Sequence, residues 1–215
     1  MKVAILSESS ADEAAVRLLV EAMINQQTEQ IDFPLQGRGW PSVRDTLPAV
    51  LKYLHYRTNA EAFVLEADAD DSPMHLPAHE QPDSADEACR LCNLRKIVDR
   101  TQQSLKPLPG RSRIKTAIGL AVPAIEAWYL CGNNSRGAEA AWLQRSSSTL
   151  GRDYRNQLKR DVYGTDRPSI ALETEHAVAE ARRLSLDLMM LETYFPVGFG
   201  SLVRDVRSWD SSITF

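Results

Sequence analysis

Residues 62–70 read Ala62-Phe63-Val64-Leu65-Glu66-Ala67-Asp68-Ala69-Asp70, an apolar run that breaks abruptly into acids. A short apolar run of this kind is the pattern of a strand buried on both faces, as strands in parallel sheets are. The acids that end it then fall past the carboxyl end of a strand, where open α/β sheets collect their ligands.

Working outward, the pattern repeats. Toward the N-terminus, Lys2 to Ser7 contains VAIL and is followed by Glu8, which predicts a first buried strand. Ser10-Ala11-Asp12-Glu13 has capping-box spacing, so a helix should start there and run to about Asn25, with Ala14, Ala15, Leu18, Leu19 and Ala22 as its apolar stripe. Ile31, Phe33 and Leu35 alternate with polar residues and predict a modest second strand, followed by a loop at GRGWPS, residues 37–42. Helical spacing from Leu47 to Tyr56 predicts a helix in which Pro48 should occupy the first turn.

Toward the C-terminus, Ser72 to Asp83 holds three prolines and two histidines and reads as a loop. Ser84-Ala85-Asp86-Glu87 is a second capping box opening a helix to about Leu105, and KPLPGRSR, residues 106–113, breaks it. Ile114 to Val122 is the fourth strand, and Pro123 can open a short helix that Gly132 closes. The order predicts an α/β domain over residues 1–131, a Rossmann-like, mainly parallel four-stranded sheet flanked by helices. Residues 132–215 read as a helical C-terminal extension packed on it. There, Ala177, Ala181, Leu184, Leu188, Leu191 and Phe195 form an apolar seam for core or partner-facing packing. Trp40, Trp128, Trp142 and Trp209 read as core or interface residues.

The chain has 215 residues, 43% hydrophobic and 25% charged, enough for a substantial core. A formal charge of -4 argues against a protein that grips nucleic acid over its whole surface, so any such contact must be focused. No apolar stretch has the length of a signal h-region or a membrane span, and three cysteines do not suggest a disulfide framework; a cytoplasmic location is the simplest expectation.

Three predicted strands end in or near acids: Glu8 after the first, Asp68 and Asp70 after the third, Glu126 one turn into the helix after the fourth. Asp12 lies one turn past Glu8. Such carboxylates can offer hard oxygens to one or two Mg²⁺ or Mn²⁺ ions. Plainer readings stand beside this one: Asp12 complementing a helix dipole, Asp70-Asp71-Ser72-Pro73 as turn chemistry, Glu126 as a solvent-facing residue. His75, His79, Cys89 and Cys92 have zinc-ligand types, yet both cysteines fall inside a predicted helix, and burial as small apolar side chains is the favoured reading over structural Zn²⁺. Two basic runs, with Lys106, Arg111, Arg113 and Lys115, and with Arg152, Arg155, Lys159 and Arg160, are candidates for phosphate contact or simply solvated faces. Tyr154 and Tyr163 are available for base stacking, and Arg204 or Arg207, after the FPVGFG turn, could neutralise a phosphate at the acids.

The order strand, Glu8, capped helix, then strand and Asp68-x-Asp70 resembles the Toprim domain of topoisomerases, primases and OLD-type nucleases. Glu8-x-x-x-Asp12 is similar to the first metal motif of the OLD-type nucleases, and Glu126 matches their later acidic ligand. VLEADADD, GLAVPAIEAWYL and FPVGFGSLVRDVRSW together look like a small bacterial family of stand-alone Toprim-like proteins associated with an ATPase in phage defence. Two departures are Ser9, where that domain has glycine, and Ser72, where it sometimes has a third acid.

The resemblance implies a Mg²⁺- or Mn²⁺-dependent phosphodiesterase or nuclease with Glu8, Asp68, Asp70 and Glu126 as catalytic groups and Glu8, Asp12, Asp68, Asp70 and Glu126 as metal ligands. It implies nucleic acid, DNA or RNA, as substrate and an ATPase as partner, with no membrane partner and a homodimer left open. The alternative is a non-catalytic regulatory or adaptor subunit of an ATPase-containing complex, docking through its helical C-terminal third. A phosphate-ester hydrolase acting on small molecules is a third reading.

Overall fold

A computed structural model describes residues 1–34, 39–81, 85–133, 138–143 and 148–210. Four strands, β1 (Lys2–Leu6), β2 (Glu29–Gln30), β3 (Ala62–Asp68) and β4 (Lys115–Ala121), form one all-parallel sheet in the order β2-β1-β3-β4. Val3 lies opposite Ala62, and Asp68 opposite Ala121. Connections leave β1 and β3 toward opposite edges, so the gap between these two strands is the topological switch point, where such sheets open a crevice.

Alternation along the strands sorts the side chains into two apolar layers. Val3, Ile5, Ala62, Val64, Ala117 and Ala121 pack in the layer that contains α1 (Ser10–Ile24), α4 (Ile125–Tyr129), α7 (Ile170–Leu184) and α9 (Gly198–Arg207). Ala4, Leu6, Phe63, Leu65, Ile118 and Leu120 pack against α2 (Gly39–Arg57) and α3 (Arg90–Ser104). The remaining helices are α5 (Glu139–Leu143), α6 (Ser148–Tyr163) and α8 (Leu188–Tyr194). β1, β3 and β4 therefore have an apolar cover on both sides, which is why their runs lack polar alternation, while the two residues of β2 stay exposed.

The C-terminal helices belong to the first of these layers. α7 lies along α1, and α9 lies on β4. Ala177, Ala181, Leu184, Leu191 and Phe195 are fully buried, which settles their seam as core; it is split between α7 and α8 by the turn at Ser185–Asp187. Gly198 opens α9 so close to the sheet that a Cβ there would stand 1.8 Å from the Leu120 carbonyl oxygen. The outer edge of β4 is occupied by side chains from this region: Ile118 N–H donates to Asp205 Oδ2 at 3.0 Å, and Trp209 Nε1 donates to the Thr116 carbonyl at 3.2 Å.

Several local expectations are corrected. The second strand is Glu29–Gln30 rather than Ile31 to Leu35; the Ile31 amide still reaches Val3, but the chain then leaves the sheet, and Leu35 is outside the described residues. α2 begins at Gly39, inside the expected GRGWPS loop, because Pro41 in a first turn loses no helical bond. Pro48 consequently sits mid-helix, where the buried face of Val43, Leu47, Val50, Leu51 and Leu54 offsets its missing donor. The N-cap of α1 is Ser9 rather than Ser10. α3 begins at Arg90, six residues after the expected cap Ser84, which is outside the described residues. Pro123, after a cis peptide bond, precedes α4 instead of opening it, while FPVGFG turns at residues 195–197 and then enters α9 at Gly198.

Candidate functional site: a carboxylate cluster at the β1/β3 switch point

The switch point is laced together by the acids themselves. Glu8, just past β1, accepts the Asp68 amide through Oε1 at 3.2 Å. Asp68 ends β3, and its Oδ1 accepts the Ile125 amide at 2.9 Å, fixing the start of α4 over the strand ends. That turn buries Glu126 to 5% exposure, so it is not a solvent-facing residue; Lys159 Nζ lies 3.8 Å from its Oε1.

Asp12 is positioned by the cap of α1. Ser9 Oγ accepts the Asp12 amide at 3.2 Å and donates to Asp12 Oδ2 at 2.7 Å, while Tyr129 Oη donates to Oδ1 at 3.2 Å. Ser9 does this from extended backbone that needs no glycine, at φ -142. The nearby bare backbone comes from Gly39, whose φ of +70 suits a residue without Cβ and which stands close to Glu8.

Glu66, which sequence reasoning passed over, joins this group. It lies two residues before Asp68 and so shares its face of β3. It is 1% exposed, and its Oε1 has no hydrogen-bond partner among the described residues. The signal was present in the sequence as an acid inside a strand otherwise built of apolar residues.

Crowding these carboxylates in a poorly solvated space makes their ionisation costly. Burial first, and then the charges of Glu66, Glu126, Glu8 and Asp12, raise Asp68 well above the usual carboxylate range. Glu66 is raised well above it for the same reasons. Burial pushes Asp12 to about 6, against the opposing Ser9 and Tyr129 hydrogen bonds, and Glu126 to about 7, against the opposing Lys159. Glu8 is raised more gently, because the Asp68 amide and Arg90 offset its burial.

Asp70 behaves differently from its neighbours. Its φ of 48 is left-handed, a conformation aspartate tolerates, and its amide donates to the Pro123 carbonyl at 2.8 Å. Its carboxylate is paired with Arg90 at 2.8 Å and also with Arg155. Arg90 additionally donates to the Asp68 carbonyl at 2.5 Å and lies 4.7 Å over the Trp40 ring. An open cleft lined by Trp40, Arg44, Asp70, Ser72, Arg90 and Arg155 leads to this corner.

Of the two basic runs, the second supplies the site. Arg155 and Lys159 project from α6 onto Asp70 and Glu126, whereas Arg160 pairs with Asp166. In the first run, Arg111 donates to the carbonyls of Leu54, His55 and Ala60, and Lys115 donates to the Trp209 carbonyl, so both are used structurally. Tyr163 is buried, and Tyr154 is stacked on Trp142 at 5.6 Å, so neither ring stands free for a base. Arg207 pairs with Glu192 and Arg204 faces the Pro196 carbonyl and Glu80, whereas the arginines paired with Asp70 are Arg90 and Arg155.

A second cluster lies in the loop after β3. His75, His79, Cys89 and Cys92 bring their ligand atoms within 4.8 Å of one another, a group that could hold a metal ion. It is the one such group of three or more His, Cys, Asp or Glu among the described residues; the carboxylates at the switch point are more loosely gathered. Cys89 precedes α3 instead of lying inside it, which removes the helical reading of that cysteine.

No family model, no curated protein and no solved structure matches this chain.

Proposed function

We propose that this chain is a Mg²⁺- or Mn²⁺-dependent phosphodiesterase acting on nucleic acid, with its reaction centre at the β1/β3 switch point. The observation that carries the reading is the group formed by the buried Glu66 and Glu126 and the half-buried Glu8, Asp12 and Asp68, with Arg90, Arg155 and Lys159 beside it. The donor set fits a hard divalent cation: it is all oxygen, it is crowded enough to resist ionisation by itself, and Glu66 Oε1 lacks a partner. Glu8 and Asp68 would hold a first ion, with Asp12 and Glu126 completing or bridging a second. Such ions supply Lewis acidity toward a phosphoryl oxygen and a water of lowered pKa.

The chain's own residues have separate tasks. Ser9 and Tyr129 fix the Asp12 carboxylate. Asp70 holds Arg90 and Arg155 at the mouth of the cleft, where their guanidinium forks suit a phosphodiester. Lys159 offsets the charge of Glu126. The focused basic rim answers how an acidic chain would meet a polyanion.

The resemblance to Toprim nucleases points the same way. The adaptor reading keeps the acidic charge of the chain in its favour but loses one support, because Ala177, Ala181, Leu184, Leu191 and Phe195 of the seam are spent inside the core. The test is cleavage of single- and double-stranded DNA and RNA, and of small phosphate esters, with Mn²⁺. Asp68→Asn should abolish turnover while retaining the native circular dichroism spectrum; equal cleavage by both proteins would sink the proposal.

A further inference from the structure

We propose that His75, His79, Cys89 and Cys92 form a structural zinc site that pins the loop after β3 to the start of α3. Tetrahedral zinc with Zn–S of about 2.3 Å and Zn–N of about 2.1 Å requires sulfur-to-nitrogen edges of about 3.6 Å. His75 Nδ1 lies 3.7 Å from Cys89 Sγ and 3.3 Å from Cys92 Sγ, and His79 Nδ1 lies 3.6 Å from Cys92 Sγ. Three of the six edges of the tetrahedron are thus close to that length, and all four ligand atoms lie within 4.8 Å of one another.

Hydrogen bonding alone accounts poorly for this arrangement. A neutral imidazole Nδ1 has at most one lone pair to accept with, yet two thiols converge on that atom of His75. A cation at the centre satisfies all of them together. The long bond from the Leu76 amide to His79 Nδ1, 3.4 Å, is what ligation would replace.

The surroundings match a zinc site in two further respects. His75 Nε2, the nitrogen turned away from the cysteines, is buried without a hydrogen bond among the described residues, and Glu80 Oε1 stands 3.5 Å from it, within a small shift of the carboxylate position that orients a ligating histidine and raises its basicity. His75, Cys89 and Cys92 are buried. Two thiolates with two imidazoles select zinc over magnesium or calcium, which want oxygen.

The clip has a reach beyond itself. Arg90 stands between the two cysteines in sequence, and its guanidinium holds the Asp68 carbonyl and the Asp70 carboxylate. Fastening Cys89 and Cys92 to the histidine loop therefore fixes the backbone from which Arg90 reaches the end of β3.

The experiment reads metal content and needs no nucleic acid. The reduced, full-length protein is analysed by elemental mass spectrometry, stripped with a chelator, and titrated with Co²⁺ as a spectroscopic probe. The expected result is one zinc per chain and the ligand-field and thiolate charge-transfer bands of tetrahedral cobalt. Cys92→Ser should lose both, and the partly exposed His79→Ala should alter the cobalt spectrum while the chain stays folded. Cys131→Ser, outside the cluster, and Asp68→Asn should keep zinc, so failure of the nuclease reading leaves this result intact. Protein without zinc whose reduced apo form takes up no cobalt would overturn the proposal.

Discussion

Arg90 grips the end of β3 twice, donating to the Asp68 carbonyl at 2.5 Å and pairing with the Asp70 carboxylate at 2.8 Å. Its side chain is only 13% exposed, so the pairing is poorly screened by water. Arg90→Ala should cost about 2 kcal/mol, the scale of charge-assisted bonds lost from a partly buried site. For a chain of this size that is a fall in Tm of about 4–8 °C by differential scanning calorimetry. Arg90→Lys keeps the charge but not the fork, and should recover less than half of the loss.

Ser9→Ala should separate capping from metal affinity. Loss of the N-cap bond to the Asp12 amide costs about 1 kcal/mol in urea unfolding. Loss of the hydroxyl that donates to Asp12 Oδ2 frees that carboxylate, so calorimetric Mn²⁺ affinity should fall as well. Unchanged Mn²⁺ affinity would place Asp12 outside the ion's reach.

Stability should decline with rising pH. Glu139 is 2% exposed, and burial raises it to about 7 although Val197 and Gly198 amides donate to it at 2.9 and 2.6 Å. The folded value lies above the unfolded 4.5, so the folded state holds more protons in between. Its contribution is fully present below about 4.5 and is lost as pH rises through about 7, on the order of 3 kcal/mol for this group. Asp12 and Glu126 act in the same direction. Chelator-treated protein should therefore melt higher at pH 5.5 than at pH 8, and Glu139→Gln should flatten that slope. Mn²⁺ should stabilise more at pH 8, where it need not displace protons from the acids.

Gly198→Ala should be among the costliest single substitutions in the fold. The added Cβ would meet backbone 1.8 Å away, with no flexible side chain to yield. Gly119→Ala meets the Trp128 ring at 3.3 Å and should cost far less. Soluble yield and urea midpoints of the two variants compare them directly, and a Gly198→Ala protein as stable as wild type would show that α9 can lift from the sheet.

The sheet was legible because β1, β3 and β4 are buried on both faces, and their apolar runs needed no partner to be recognised. β2 was not, because two residues carry no periodicity and Ile31 and Phe33 alternate without extending the ladder. The helix boundaries failed where several candidate caps lie side by side, as at Ser9 and Ser10. Strand ends likewise located Glu8, Asp68 and Glu126. Glu66 was hidden by the assumption that a strand interior is apolar. Arg155 and Lys159 were legible only as members of a basic run and Arg90 not at all, since α3 and α6 reach the site only through tertiary packing, and nothing local ranked them above Arg204 and Arg207.

Asp205 and Trp209, seated along the outer margin of β4, also govern how copies of this chain can meet. A parallel sheet with a bare outer strand invites a second chain to hydrogen-bond alongside it, by accident or by design. Here the Ile118 donor and the Thr116 acceptor are already taken by side chains of the same molecule, and the opposite margin, β2, is two residues long. Strand addition therefore meets an occupied margin at β4 and only a two-residue ladder at β2, which disfavours sheet-to-sheet pairing of copies.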